Sequence, residues 1–269
     1  KSFNENISKW NVGNVTNMNH MFKNAESFNK PLNDWVVSNV RDMSYMFSHA
    51  KSFNQPLDWD VSNVTNMSFM FRNAESFNQD ISNWDVREVN DMENMFFNAK
   101  LFNQPLNDWN VGNVRDMNGM FTNAQSFNQP LNRWNVSNVT NINSMFYGAE
   151  SFNQPLNEWT VSNVTDMNNM FCFAKSFNQD ISDWNVSNVE NMEYMFHNAC
   201  VFNQDISEWD VSNVITMQIM FSCARSFNQP LNKWNVSNVT DIINVTDSYM
   251  FHKADLMEEQ NKPNFNNKN

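Results

Sequence analysis

Large apolar residues recur along the chain at fixed offsets from tryptophan. Around Trp35, the residues Leu32, Trp35, Val37 and Val40 form the pattern L-x-x-W-x-V-x-x-V. Trp35 and Val37 stand two apart, so an extended backbone puts them on one face, and Trp and Val favour strands. The pattern predicts a very short strand with both side chains inward. After Trp10, the residues Met18, Met21, Phe22 and Ala25 fall at i, i+3, i+4 and i+7, one stripe of a two-turn helix. Thr16-Asn17, and later Thr65-Asn66 and Thr165-Asp166, stand ahead of that stripe as helix caps. Each unit reads strand, turn, helix, turn, with Ser-Phe-Asn-Gln returning the chain. A helix this short does not persist alone, so neighbouring units must hold it.

The unit is repeated ten times. Trp10, Trp35, Trp59, Trp84, Trp109, Trp134, Trp159, Trp184, Trp209 and Trp234 are all the tryptophans of the 269-residue chain. They lie 25 apart, except for 24 between Trp35 and Trp59, where Pro56-Leu57-Asp58-Trp59 lacks a residue. The last unit carries an insertion that doubles Asn238 to Asp241 as Asn244 to Asp247. A period in this range means stacked units, none of which buries its apolar face alone. The expected fold is an α/β repeat: one curved solenoid over 1–256, ten rungs of short parallel strand plus short helix, with a polar tail over 257–269. Trp35, Trp59, Trp84, Trp109, Trp134, Trp159, Trp184 and Trp209 should line its core. Strands stack at about 4.8 Å and helices need roughly 10 Å, so the stack should fan with strands concave and helices convex. The tail is expected to fray and to be a weak cap. The chain opens in mid-unit at Lys1, which reads as a fragment or a processed chain.

Asn follows Phe in every unit. Asn29, Asn54, Asn78, Asn103, Asn128, Asn153, Asn178, Asn203 and Asn228 read as an amide ladder that satisfies turn backbone groups between rungs. Pro31-Leu32 alternates with pairs such as Asp80-Ile81 and Asp180-Ile181, two interchangeable turn solutions. Composition agrees with this picture. With 24 Phe, 19 Met and 10 Trp at 41% hydrophobic residues, the core is built from few but large side chains, unlike a disordered acidic chain. Four Gly and seven Pro exclude a collagen-like chain. No apolar run is long enough to span a membrane. The net charge of −12 argues against a nucleic-acid partner, which needs a basic patch.

The motif W-N-V-S-N-V-T-N-M-x-x-M-F-x-x-A-x-S-F-N-Q resembles the BspA-like branch of leucine-rich repeats, closest to the variant abundant in mycoplasma surface lipoproteins. The strand signature is similar to the general L-x-x-L-x-L pattern with Trp for the middle Leu. The resemblance covers residues 3 to about 256. It implies a right-handed solenoid and, commonly, a surface-exposed or secreted protein that binds other proteins or host molecules. It carries over no catalytic residue.

Candidate chemistry is sparse. Cys172, Cys200 and Cys223 sit at different offsets from their Trp and form no C-x-x-C, so free thiols are expected. His20, His49, His197 and His252 have no partner at ligand spacing. No nucleophile-elbow, P-loop or H-E-x-x-H motif is present. The expectation is a protein that is not an enzyme and has no cofactor. Positions flanking Trp should project onto the concave face, where Asp34, Asp58, Asp60, Asp85, Asp108, Glu158, Asp183, Glu208 and Asp210 outnumber Lys9, Arg87, Arg133 and Lys233. That face is the candidate binding surface for a basic or polyhydroxyl partner; the alternative is a solvated face kept soluble by charge. Asp58 with Asp60, and Glu208 with Asp210, are weak Ca²⁺ candidates. The position ten after each Trp should point away from the core on the convex side, where Tyr45, Phe69, Tyr194, Ile219 and Tyr249 form a candidate contact patch. The N-x-[ST] sequons, such as Asn14-Val15-Thr16, are repeat grammar. Two functions are in view: a non-catalytic surface or secreted module binding a protein or glycan, or a structural unit of a surface array, filament or virion that self-associates end to end.

Overall fold

Ten Trp-anchored units stack as ten rungs of one solenoid, numbered here by their Trp from rung 1 (Trp10) to rung 10 (Trp234). The computed structural model describes residues 2–240 and 247–265. The insertion in rung 10 therefore lies largely outside the described residues.

The stripe predicted as a helix is buried, with Met43, Met46, Phe47 and Ala50 fully enclosed in rung 2, but it is not helical. Its backbone donors alternate between two kinds of partner. Met21, Lys23 and Ala25 donate to the carbonyls of Met18, His20 and Phe22, closing overlapping turns. Met18, His20, Phe22 and Asn24 donate instead to Asp42, Ser44, Met46 and Ser48 of the next rung, at 2.7–3.0 Å. Two residues per rung also take left-handed conformations, His20 (φ 60°) and Asn24 (φ 62°) in rung 1, and the same two offsets repeat along the chain. Positive φ at these points ends any helix, and turns of this kind favour Gly or Asn there. A two-turn helix is marginal by itself; bonding every second N–H to the neighbouring rung displaces it. Among the described residues, regular helix is confined to α1 (Asp247–Met250) and a 3₁₀ turn at Glu259–Asn261.

The strand is displaced as well. Parallel bridges link Asn17, Asp42, Asn66, Asp91, Asp116, Asn141, Asp166, Asn191 and Thr216 in series, seven residues after each Trp. The segment around Trp35 and Val37 forms turns instead, Trp35 N–H to Leu32 O at 3.0 Å and Val40 N–H to Val37 O at 2.9 Å. Side chains seal the rungs there. The indole Nε1 of Trp84 donates to Leu57 O at 2.9 Å, one rung back, and the same bond recurs from Trp35 to Trp234. The amide oxygen of Asn54 accepts the N–H of Asn78 and the Nε2 of Gln79, both at 2.9 Å. A second amide row lies four residues after Trp, as in Asn138 Nδ2 to Gly112 O at 2.7 Å.

Backbone bonds on one side and side-chain bonds on the other set the curvature. Ring centroids of successive rungs are 4.4–4.6 Å apart for His20, Tyr45 and Phe69 beside the ladder. In the Phe22–Phe47 column they are 5.4–5.7 Å apart, in the Phe28–Phe53 column 5.6–6.1 Å, and in the Trp column 6.4–6.5 Å. The stack therefore bends toward the bridge ladder, with the Trp side outermost. This reverses the expected sides, because among the described residues rungs 1–9 carry no helix to splay the other face.

These columns fill one continuous core. Trp35 through Trp234 are buried, whereas Trp10, on the first rung, is 56% exposed. Rung 3, the short unit, loses the Leu-to-Trp turn yet keeps its indole bond to Leu32 O at 3.1 Å. The described tail is held, not frayed. Glu258 N–H and Asn261 Nδ2 both donate to Asn228 Oδ1, at 3.0 and 2.9 Å, and Leu231 N–H donates to Asn261 O at 2.6 Å. The tail thus continues the amide ladder by one step, while Met257 and Phe265 pack on the core.

Candidate functional site

The acidic residues flanking Trp lie on the outer, Trp side of the bend. All are exposed except Asp85, which is half-buried. The four bases of this face are consumed by it: Lys9 pairs with Asp34 at 2.9 Å, Arg87 with Asp85 at 2.9 Å, Arg133 with Asp108 at 2.6 Å and Lys233 with Glu208 at 3.0 Å. The hydroxyls of Ser62 and Ser212, followed by their backbone N–H groups, donate to Asp60 and Asp210 and hold their carboxyls below the usual range. Asp58 accepts Asn83 Nδ2 at 2.9 Å. Glu158 accepts Asn157 Nδ2 at 3.4 Å, and Asp183 is exposed. Exposed pairs of this kind contribute little to stability. Among the described residues, no group of three or more His, Cys, Asp or Glu is arranged to hold a metal ion.

The ten-after-Trp column lies on the inner side, beside the ladder, not on the convex side. There the left-handed turn lifts its side chains out of the core. His20, Tyr45 and Phe69 stack face to face, with interplanar angles of 16° and 4°. The pattern alone misses their companions three positions on. Lys23 Nζ sits 4.6 Å from the Tyr45 ring centroid. The Arg72 guanidinium lies 5.5 Å from Phe69 and 4.8 Å from Phe97, and its Nε is buried with no acceptor. His49 bridges Ser48 Oγ and Asn73 Nδ2, each at 3.0 Å. Burial first, then Arg72, Lys23 and Lys51, push the His49 imidazole below its ordinary value. The thirteen-after-Trp residues Lys23, Arg72, Phe97, Tyr147 and His197 were visible as a variable column beside the ten-after-Trp one.

The other members of the expected patch lie further along. Tyr194 meets His197 edge-on at 5.9 Å, and His197 meets Phe173 edge-on at 5.2 Å. Ile219 is half-buried on the next rung, and Tyr249 is exposed. Between the two aromatic groups stand Asn94, Gly119 and Ser144. An open groove of about 740 Å³ lies alongside, lined by Glu88, Asp91, Arg115 and Asp116 among others. Burial, with Asp116 opposite, raises the Asp91 and Glu93 carboxyls.

The three cysteines are free. Cys172 is buried, which pushes its thiol up to about 12 and keeps it protonated and unreactive. Among the described residues, no helix is long and apolar enough to cross a membrane.

A family profile described as "Mycoplasma protein of unknown function, DUF285" matches residues 1–79, 57–159 and 150–264. No curated protein matches the sequence. Among solved structures, an internalin (inlF) of Listeria monocytogenes is 12% identical with a TM-score of 0.31, covering 90% of this chain and 81% of that one. A TLR13–ssRNA13 complex is 10% identical with a TM-score of 0.29, covering 84% of this chain. The chain spans 37% of the length of that TLR13 chain.

Proposed function

We propose that this chain, which belongs to the DUF285 family of Mycoplasma proteins of unknown function, is a non-catalytic repeat protein that binds another protein through its inner ladder face. The observation that carries this reading is the His20–Tyr45–Phe69 stack with Lys23 and Arg72 laid on it. Core and amide-ladder columns repeat with little change from rung to rung, whereas the inner-face columns differ at nearly every rung. Constant columns build the scaffold, and variable ones are free to encode a partner. Aromatic and cationic side chains are the residue types that dominate protein-recognition surfaces.

The resemblance of the repeat to the BspA-like branch supports a surface-exposed or secreted location and an adhesive role. End-to-end assembly is the weaker reading, because the tail occupies the Asn228 acceptor that a stacked copy would use. A photo-crosslinking amino acid at Tyr45, with another at outward-facing Val36 as control, tests the assignment. Adducts to a defined polypeptide should form from Tyr45 and not from Val36. Adducts from Val36 alone would sink the inner-face reading.

A further inference from the structure

We infer that the inner face of rungs 1–3 docks an extended acidic segment of a protein partner, an inference that rests on the protein-binding reading above. The charges on this face are segregated. Between six and fourteen residues after Trp, rungs 1–3 carry Lys23, Arg41 and Arg72 against Asp42 alone. Over the same positions, rungs 4–9 carry Asp91, Glu93, Asp116, Asp166, Glu190 and Glu193 against Arg115 alone.

Among the described residues, neither Lys23 nor Arg72 reaches a carboxylate, whereas Lys9, Lys100, Arg133, Lys175 and Lys233 each meet one at 2.6–3.0 Å. Lys23 and Arg72 rest on ring faces instead. Arg72, Lys23 and Lys51 depress the nearby His49 imidazole, after burial itself, and outweigh Glu26, which raises it.

Ring geometry selects the kind of anion. His20, Tyr45 and Phe69 cover one another's facing sides at 4.4–4.6 Å, so no nucleobase or sugar ring fits between them. The stack turns its edges to solvent, and aromatic edges carry the positive end of the quadrupole. Ring edges and cations thus attract the same oxygens. The inward bend admits a slender chain better than the equally concave face of a second copy. The acidic rungs 4–9 repel such a segment and confine it to the first rungs, which fixes its register.

The test is fluorescence anisotropy with a labelled peptide of about eight residues alternating Glu and Tyr, long enough at ~3.3 Å per residue to cross the first three rungs. A Lys-Tyr counterpart and a thymidine oligonucleotide of similar length are the comparison probes. The Glu-Tyr peptide should bind, and both Lys23→Glu and Arg72→Gln should weaken it by about tenfold. Arg133→Glu, on the outer face, should leave it unchanged. Lys23 is exposed, so its variant reports on binding even if Arg72→Gln disturbs the fold. The inference is overturned if the Glu-Tyr peptide does not bind, or binds Lys23→Glu as well as wild type. Tighter binding of the oligonucleotide overturns it in favour of a nucleic acid. Dimers in sedimentation that Lys23→Glu dissolves overturn it in favour of a second copy. Tyr45 crosslinks to a polypeptide would still stand in each of the first two cases, which separates this inference from the broader reading.

Discussion

The indole Nε1 of Trp134 donates to the carbonyl oxygen of Leu106, one rung back, at 2.8 Å. The same oxygen accepts the backbone N–H of Trp109 at 3.1 Å. One carbonyl thus closes a turn within its rung and ties that rung to the next, where the rungs stand farthest apart. Leucine is also apolar but has no side-chain donor to reach across. Trp134→Ala should destabilise the solenoid by about 3–5 kcal/mol, mostly through the cavity. Trp134→Phe keeps an aromatic ring and loses the donor, and should cost about 1–3 kcal/mol. Urea unfolding midpoints check both. A Trp134→Phe midpoint equal to wild type would show that the inter-rung bond contributes nothing.

Asn128 tests the amide ladder. Its Oδ1 accepts the N–H of Asn153 at 2.9 Å and Gln154 Nε2 at 3.0 Å. Asn128→Ala leaves a half-buried backbone donor without a partner, at a cost of about 1–3 kcal/mol. Asn128→Asp retains an acceptor oxygen and should lose clearly less. Equal losses in thermal melts of the two variants would mean that acceptance is not what this Asn supplies.

The period, the one-Trp-per-rung core and the Phe-Asn row are all legible in the sequence, because stacking copies the same environment at every rung. The helix was not recoverable from its stripe. Met18, Met21, Phe22 and Ala25 are spaced for a helix, but overlapping four-residue turns bury the same positions. What separates the two is the left-handed pair per rung, and its trace is present: Asn24, Asn73, Asn98, Asn123 and Asn198 share one column with Gly148, and Asn94, Asn169 and Gly119 share the other. Misplacing the strand then inverted the bend. The Tyr45–Phe69 adjacency could be read from spacing, whereas the contribution of Lys23 and Arg72 depends on which way the turn lifts its side chains.

Ile219 occupies the left-handed column of Asn94, Asn169 and Gly119, with φ 61°. A β-branched side chain is strained there, at about 1–2 kcal/mol. Ile219→Asn, the residue used at Asn94 and Asn169, should therefore raise the melting midpoint, by about 1 kcal/mol of stability. A lower midpoint would show that Ile219 packing outweighs its backbone strain.

Two imidazoles make stability fall with acid. Burial lowers the value for His197, whose Nδ1 is enclosed without a partner, and burial with Arg72 and Lys23 lowers it for His49. The unfolded chain then takes up protons first, so stability is lost as pH falls from about 6.5 through the lowered folded values. His197→Gln should narrow the difference in melting midpoint between about pH 7.5 and 5.5. An undiminished difference would remove His197 from the account.

Asp91 acts with the opposite sign. It is the direct bridge partner of Asp116, and burial followed by that charge raises its carboxyl above the ordinary range. The folded chain holds the proton more tightly, so this contribution is fully present below about pH 4, the unfolded value, and is lost as pH rises through the raised folded one. Near neutrality Asp91 is a like charge facing Asp116 and Glu93. Asn66, Asn141 and Asn191 occupy the same column and make the same turn bond through Oδ1. Asp91→Asn therefore keeps the bond from Glu93 N–H, 3.0 Å in the native protein, and removes the repulsion. It should stabilise the protein by about 0.5 kcal/mol near pH 7, after allowing for solvent screening, with the gain vanishing near pH 3.5. A gain of equal size at both pH values would attribute the effect to packing, and a loss at neutral pH would show that the paired carboxylates serve a purpose other than stability.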